Sequence, residues 1–457
     1  MKAWKKTTVP EMEEPMKPVP LLLAALLAAL ALPATAADDE PTETPTKAKK
    51  TRPGKARESG PRLKLERVKV EVGDFLDAGA PSGSHYGHLT ASVNWQPTRA
   101  WELQASARID GYDQSDPRAD RLRADTGETF VRYRGEGLRV TLGAQNILWG
   151  RTDEIPPIDR LSRVDANRLN LDPLAERRRA VGALRLEKTL DDYKLDVVWV
   201  PVFQPAELPR WENVWHPVDR RRGRILGVDP ALLPPALVQN ATFGEDKHGA
   251  GGGGVRLTRS GAGFDWGVSL QRARQSTPYY RFNRFAPGLP TFTAVHPMAT
   301  VAGLEGEFQW KGATFRLEAA RTSDAPVTTT SFDYRLVPAT DVVAGVEFFP
   351  GDRDTRITFQ LASHHLSTPE PILERKTFHA ATVDVEHPFA QDRWRLNLRA
   401  LVGLNHRDNY VSPRLTYRGF EPHEFYIAGH FFGGDERGIG GFHRDHDLVV
   451  IGWQVRY

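Results

Sequence analysis

Charged side chains recur at every second position in several short segments of this 457-residue chain, and they are its first candidates for chemistry. Arg395 and Arg399 flank Asn397, for example, whereas leucines occupy the positions between them. Such an array carries fixed charge with no nucleophile or general base beside it, so it can attract, repel and orient ions but cannot break bonds. The candidates at polar positions of alternating segments are Arg132, Arg139, Glu305, Glu307, Arg356, Arg395, Arg399, Arg414 and Arg418.

These charges are segregated along the chain. Arginines dominate the polar positions at 132–256 and again at 356–418, whereas carboxylates dominate those at 265–347. If all of them face one water-filled space, opposed charges would produce a transverse field that screens solutes by charge. The alternative is ordinary salt bridging across a plugged interior.

The segment 150–180 is the second candidate, because it holds seven Arg and six acidic residues. A loop of this size could fold inward and narrow the same space, or lie over its mouth as a solvated lid. We predict the inward position, which makes this loop a constriction. Its predicted solute-facing residues are Asp153, Asp159, Arg160, Arg163, Asp165, Asn167 and Arg168.

Signatures of catalysis are weak. The chain has no Cys, and neither H-E-x-x-H nor G-x-S-x-G occurs. Gly249–Gly254 fits G-x-G-x-x-G, but it precedes a strand pattern instead of linking a strand to a helix, so we predict no dinucleotide site. We also expect no Ser–His pair to be brought together by the strands. The sequence therefore predicts no enzyme and no cofactor.

A metal site is the other chemistry considered. His443, His446 and the neighbouring aspartates, with His406 and Asp408, could bind a divalent ion. A solvated polar loop is the interpretation we favour, so we predict no resident metal.

The elements that must position these residues are β-strands. In Trp101–Asp110 the residues alternate between apolar and polar, and successive side chains of a strand point to opposite faces. About 18 such strands can be identified from residue 63 onward. They begin near residues 63, 86, 99, 127, 137, 181, 192, 254, 263, 299, 312, 339, 354, 375, 391, 409, 423 and 446.

The connections between these strands decide the architecture. Short turns alternate with longer connections, the largest at about 150–180, 204–250, 274–298, 323–338 and 433–445. A water-soluble sandwich shows the same strand alternation but has no reason to keep this parity, whereas bacterial outer-membrane barrels do. We therefore predict an all-β fold, a transmembrane antiparallel up-and-down β-barrel with short periplasmic turns and long extracellular loops.

Aromatic residues support the membrane interpretation. Those beside short turns, where an interfacial girdle belongs, are Trp95, Trp101, Trp310, Phe389, Trp394 and Tyr417. The final strand ends in Tyr457 with apolar residues at two-residue steps before it, which resembles the C-terminal signature of outer-membrane barrels read by the barrel-assembly machinery. We expect that machinery, outer-membrane lipids and lipopolysaccharide as partners.

The N-terminus predicts export. Residues 1–36 contain a basic start, an apolar core and an A-x-A site, the pattern of a secretory signal peptide, and Met16 is a possible true start. Residues 37–62 form a predicted disordered basic periplasmic tail, and 63–457 the barrel. Because the barrel holds 50 basic and 50 acidic residues, no nucleic-acid partner is expected. The predicted location is the outer membrane of a Gram-negative cell, reached through the general secretory route.

Two segments carry a family resemblance. Leu142–Gly150, followed by the charged loop and then by Trp199–Pro209, is similar to a group of uncharacterised proteobacterial outer-membrane barrels. Those proteins are distantly similar to alginate-export porins, which have 18 strands. The resemblance implies a passive channel or export conduit and leaves the solute open.

Two functions are therefore carried forward. The first is a porin-like channel or export conduit for small polar or charged solutes, with 150–180 as its constriction. It could work with a periplasmic or inner-membrane transport partner. The second is a plugged surface barrel with a structural or ligand-binding role in the outer membrane.

Overall fold

The computed structural model describes residues 59–246, 249–261, 263–283, 289–351 and 354–457. The predicted signal peptide and all but the last few residues of the predicted tail lie outside these ranges. Residues 59–62, which we assign to the tail from sequence, already belong to the first strand, where Ser59 pairs with Gln96 and Arg62 with Asn94. The barrel therefore begins a few residues before its predicted boundary at residue 63.

Eighteen antiparallel strands form one closed sheet. They are β1 Ser59–Phe75, β2 Ser84–Gln96, β3 Trp101–Asp113, β4 in two parts (Arg121–Thr126 and Thr129–Gly135), β5 Leu138–Gln145, β6 Val181–Leu190, β7 Tyr193–Val200, β8 Gly252–Arg259, β9 Phe264–Arg274, β10 Met298–Trp310, β11 Ala313–Thr328, β12 Tyr334–Phe348, β13 Arg356–Leu366, β14 Thr377–Phe389, β15 Trp394–Gly403, β16 Asp408–Phe420, β17 His423–Gly434 and β18 Leu448–Arg456. Both parts of β4 pair with β3, one after the other, so they count as a single strand.

Each strand pairs with its neighbours in the chain, and the first pairs with the last. Val68 of β1 lies opposite Val455 of β18, and this register continues to Phe75 opposite Leu448. Closure removes the free sheet edges that would otherwise expose unpaired backbone groups. The predicted fold class, strand number and connectivity are confirmed.

The two faces of the barrel wall differ in the way that strand alternation predicts. On β10, Leu304 is 61% exposed on the outside, whereas the next residue, Glu305, is 6% exposed on the inside. β11 repeats this with Leu317 and Glu318. An apolar surface of this extent is not stable in water, so the outer wall suits the hydrocarbon core of a membrane.

Aromatic rings mark one end of this apolar band. Trp95, Trp101, Trp310 and Phe389 are exposed beside the short turns, and the Trp394 ring lies 4.8 Å from that of Tyr417. We call this the turn end and the opposite end the loop end. The girdle predicted from sequence forms at the turn end.

The predicted parity of the connections is only partly right. β11 and β12 extend through most of 323–338, where a long loop was predicted, and leave only residues 329–333 between them. The connection 404–407 at the loop end is also short. Long connections concentrate instead in the first half of the barrel, at 146–180, 201–251 and 275–297, with a further one at 435–447.

Local structure within the long connections is sparse. In the described parts of the chain there are three short helices, α1 Leu174–Arg177, α2 Pro235–Gln239 and α3 Ile439–Phe442. At the loop end, Thr242–Glu245 pairs parallel with Thr291–Val295, which in turn pairs with Tyr279–Asn283. Across the described ranges, no helix is both long enough and apolar enough to traverse a bilayer.

Candidate functional site

The connection 146–180, here called the strap, folds into the barrel and crosses its interior. Its first arm contacts the wall formed by β9 to β12. Thr152 N donates to the Glu318 carboxylate at 2.6 Å, and Arg160 pairs with Asp341 at 3.5 Å. The predicted inward position of this loop is therefore what the structure shows.

Apolar contacts seat the first arm. Ile158 is buried against Val301 and Ala320, and a Cβ on Gly303 would lie 2.6 Å from the Ile158 side chain. Any residue other than glycine at position 303 would therefore clash with the Ile158 side chain. Ile158 O also accepts a hydrogen bond from Gln271 Nε2 at 2.7 Å.

The start of the strap explains the glycine-rich segment. Trp149 is buried, and its Nε1 donates to Asp196 at 2.9 Å. A Cβ on Gly254 would lie 2.9 Å from the Trp149 ring, and Gly252 has a φ of +115°. Gly254, within β8, therefore lets the strand and the strap approach closely.

The second arm is held by a buried charge cluster on β1. Lys69 Nζ lies 2.8 Å from Asp172 and 3.0 Å from Glu71, and Arg168 pairs with both carboxylates. Burial raises the pKa of the Asp172 carboxyl, but Arg168 and Lys69 outweigh it and hold that pKa well below its usual range. Two cations and two anions thus compensate one another away from solvent.

A second cluster fixes the same arm to β3 and β4. Arg179 lies 2.8 Å from Asp110 and also pairs with Asp165, and all three side chains are buried. Arg163 reaches Asp125 at 3.3 Å. The two arms therefore tie opposite walls together, and the strap divides the interior.

The divided interior leaves a cavity of about 1000 Å³ beside β13 to β18, here called the inner chamber. It reaches the turn end at Arg356, Arg395 and Arg418. Arg399 spans it, donating to Glu154 of the strap at 3.1 Å. The strap thus forms one wall of the chamber.

A second cavity of about 670 Å³, the vestibule, lies toward the loop end and is lined largely by apolar and aromatic side chains. Eight residues border both cavities, so the two adjoin. This boundary, here called the junction, consists of Asn170, Arg177, Leu226, Gly227, Phe378, Arg437, Gly438 and Ile439.

The connection 201–251, here called the mouth loop, spans the loop end. It meets the 435–447 connection through Arg222–Asp445 at 2.6 Å and Arg224–Glu436 at 3.0 Å. A third ion pair joins the same two connections, between Arg437 and Asp229 of the mouth loop at 3.0 Å. The mouth loop therefore covers part of the opening and supplies Leu226 and Gly227 to the junction.

Two histidines lie under this cover. His443 Nδ1 is 3.2 Å from His446 Nδ1, and both rings lie within about 6 Å of Trp215 of the mouth loop. Burial, followed by the charge of Arg222, lowers the pKa of His446 to about 4. The predicted solvated loop is wrong here, because these histidines are buried. In the described part of the chain, no group of three or more His, Asp or Glu side chains is placed to hold a metal ion.

Among the described residues, the structure brings together a Ser–His pair, contrary to our expectation from the sequence. Ser412 Oγ lies 3.3 Å from His430 Nδ1 on neighbouring strands of the inner chamber. The same nitrogen is closer to the Tyr410 hydroxyl, at 2.9 Å, and the two rings stack. Among the described residues, no carboxylate bonds to His430.

The predicted solute-facing residues divide into two groups. Seven line one of the cavities, namely Asp153, Arg160, Arg356, Arg395, Arg399, Arg414 and Arg418. Eight line neither cavity and instead hold strap or wall in ion pairs, namely Arg132, Arg139, Asp159, Arg163, Asp165, Arg168, Glu305 and Glu307. Asn167 is likewise buried, bonded to Asp165 at 2.7 Å. The strap residues among the eight are a correction to the prediction, because ion-pair partners in the strap or in the wall occupy their charges.

The predicted field between opposed charge arcs is also corrected. Neighbouring strands supply local partners, as in Arg356–Asp384 at 2.9 Å, Arg395–Glu386 at 3.0 Å and Arg418–Glu424 at 3.0 Å. Arg414 is the exception, because its guanidinium lies 3.5 Å from the Tyr426 ring and has no described carboxylate within ion-pair distance. Charge without an ion-pair partner is therefore confined to single side chains such as Arg414.

Sequence reasoning missed several residues that define this site. Arg177 and Phe378 at the junction, Lys69 of the buried cluster and the tether Glu318 were not singled out. Lys69 and Glu318 do occupy polar positions of alternating strands, so their inward direction was available from sequence. No sequence signal distinguishes Arg177 from the two arginines that follow it.

No family model matches the chain, and no curated protein matches it. Among solved structures, OccAB4 of Acinetobacter baumannii aligns over 88% of this chain and 98% of its own at 9% identity, with a TM-score of 0.46. Wzi of Escherichia coli, described as a carbohydrate-binding β-barrel, aligns over 86% of this chain and 85% of its own at 10% identity, with a TM-score of 0.45. The outer membrane channel DcaP of Acinetobacter baumannii aligns over 87% of this chain and 98% of its own at 9% identity, with a TM-score of 0.43. Scores this low add nothing to the architecture described above, and the similarity to alginate-export porins stays a prediction.

Proposed function

We propose that the protein is an outer-membrane channel for small polar or charged solutes, with the strap as its constriction. One observation carries this proposal: the inner chamber and the vestibule adjoin, and together they extend from the turn end to the loop end. A plugged interior has no need of two adjoining cavities along one wall.

The size of the cavities limits the solute. Pockets of about 300–1000 Å³ hold small organic molecules, and the two cavities fall in this range. The inner chamber is lined by eleven Lys and Arg and eight Asp and Glu. Such a surface hydrates polar solutes, and its slight excess of cations favours anions.

The location and partners follow from the surface. The apolar outer wall with its aromatic girdle fits a lipid bilayer, and a signal peptide with short periplasmic turns fits the outer membrane, including its lipopolysaccharide. β18 closes the barrel and ends beside the exposed Tyr457, as expected for recognition by the assembly machinery. Export through the secretory route and a periplasmic or inner-membrane transport partner belong to the same proposal.

The second candidate function is a plugged barrel that binds a ligand or partner at its loops. It is favoured by the buried ion pairs that hold the strap and by the mouth loop across the opening. Planar-bilayer recording separates the two functions. A steady current from the purified barrel supports the channel, and the absence of current from assembled barrel supports the plug.

The cysteine-free chain allows a sharper test. Asn397 lines the inner chamber, whereas the adjacent Leu396 is 43% exposed on the outer wall. A charged, membrane-impermeant thiol reagent should reduce the current of Asn397→Cys and leave that of Leu396→Cys unchanged. Equal effects on both variants would mean that the inner chamber is not the conducting path.

A further inference from the structure

Buried guanidinium atoms without a partner cluster along the two cavities. They include Arg177 Nε at the junction, Arg375 Nη2 in the vestibule, and Arg414 Nε and Nη2 in the inner chamber. No charged carboxylate oxygen lining either cavity is unpartnered in the same way among the described residues. A buried donor without an acceptor is costly, and an anion satisfies it best.

Arg177 is the most telling of these side chains because it borders both cavities. The other junction cation, Arg437, is paired with Asp229. Glu154, which lies near Arg177, is already hydrogen-bonded to Arg399. Within the described ranges Arg177 has no carboxylate at ion-pair distance, so its charge is available at the boundary that the two cavities share.

The vestibule beside Arg177 has a different character. Its lining includes Tyr280, Phe282, Phe292, Phe332 and Phe378. Phe378 also borders the junction, and its ring lies 4.8 Å from that of His406. Aromatic rings placed in this way offer stacking and edge contacts to a planar apolar group.

From this arrangement we propose a binding site for small monocarboxylates with an aromatic body, which rests on the proposed function because the ligand would be a transported solute. The carboxylate lies at Arg177, whose planar fork can donate two hydrogen bonds to it. The ring lies in the vestibule against Phe378. A neutral aromatic would leave Arg177 unsatisfied, and a bare carboxylate would leave the aromatic lining unused.

Binding to the purified barrel in detergent tests this site without requiring conduction. Isothermal titration calorimetry with benzoate, acetate and benzyl alcohol separates the contributions of charge and ring. Benzoate should bind at least about tenfold more tightly than either of the others. Equal affinity for benzoate and acetate, or for benzoate and benzyl alcohol, would overturn the proposal.

Substitutions assign the two halves of the site. Arg177→Gln should weaken benzoate about tenfold to a hundredfold, and Arg177→Lys, which keeps the charge, should weaken it less. Phe378→Ala should weaken benzoate about three- to tenfold and leave acetate unchanged. Arg321→Gln, an exposed arginine that lines neither cavity, is the matched control and should bind as the unsubstituted barrel does.

The outcomes separate this proposal from the proposed function. Conductance without preferential benzoate binding refutes the site and keeps the channel. Benzoate binding that depends on Arg177, without any conductance, keeps the site and refutes the channel. If Arg177→Gln does not assemble, Arg177→Lys and Phe378→Ala still decide the result, because unaltered benzoate binding by both variants would refute the site.

Discussion

Neutralising Asp172 should loosen the strap and enlarge the proposed channel. In Asp172→Asn the shape of the side chain is kept, but Lys69 and Arg168 lose one of the two carboxylates that compensate them. Glu71 remains, at 3.0 Å from Lys69. The two buried cations would then share Glu71, with Glu176 at the longer distance of 3.9 Å from Lys69.

The magnitude follows from the burial of this cluster. Removing one partner of a buried ion pair costs about 3–5 kcal/mol, and the remaining Glu71 places the effect near the lower end. Since about 1.4 kcal/mol is a factor of ten in an equilibrium, about 3 kcal/mol raises the population of the released strap about a hundredfold. The barrel itself should assemble, because its strand pairing is untouched.

Single-channel recording measures this release. We expect the unsubstituted barrel to show a small steady current and Asp172→Asn to show frequent transitions to a larger one. Asp116→Asn is the control, because Asp116 pairs with Arg118 in an exposed loop where an ion pair contributes little. If Asp172→Asn assembles and its current matches that of the unsubstituted barrel, the strap either does not limit conduction or is not held by this cluster.

Three further predictions concern the chamber, the cover and assembly. Arg414→Glu should shift the reversal potential in a salt gradient toward cations, since Arg414 has no described carboxylate partner, and Arg321→Glu should leave it unchanged. The pKa of His446 in the folded protein is about 4, below its ordinary value of 6.5. Its contribution to the stability of the folded loop is therefore complete above pH 6.5 and is lost as the pH falls toward 4. At pH 5 the loss is about 2 kcal/mol, which hydrogen exchange of residues 435–447 should detect and His446→Asn should abolish. Deleting Tyr457 should slow assembly, as heat-modifiable electrophoresis would show, and equal assembly rates would count against its role as a signal.

The strands were predictable because their information is local. Alternation at Trp101–Asp110 reports directly which side chains leave the wall on each face, and a strand needs no distant residue to show it. Closure was predictable from the parity of the connections. The long loop predicted at 323–338 was wrong because the prediction relied on the same local alternation. Ala325–Thr328 and Tyr334–Val337 pair as strands although their sequence no longer alternates.

The strap was predictable in position and not in detail. Its charge content marks it as a loop that meets a polar interior, but Asp153 and Asp165 look alike in sequence. The structure exposes the Asp153 side chain to the chamber and buries Asp165 against Arg179. Their difference depends on Asp110, which lies on β3 and is remote in sequence, so no pattern within 150–180 could reveal it.

The order of charged residues along the chain does not reveal the electric field in the lumen, because inward charges pair with their neighbours in the wall. On a closed barrel an inward arginine meets the inward residues of two neighbouring strands before it meets the opposite wall, as Arg395 meets Glu386. Most fixed charges are therefore compensated within the wall, and the field at the axis depends on the few that are not. Arg177 and Arg414 are such exceptions along the proposed path from the vestibule to the inner chamber. Selectivity in this barrel should therefore respond to these two side chains far more than to the net charge of the strands that surround them.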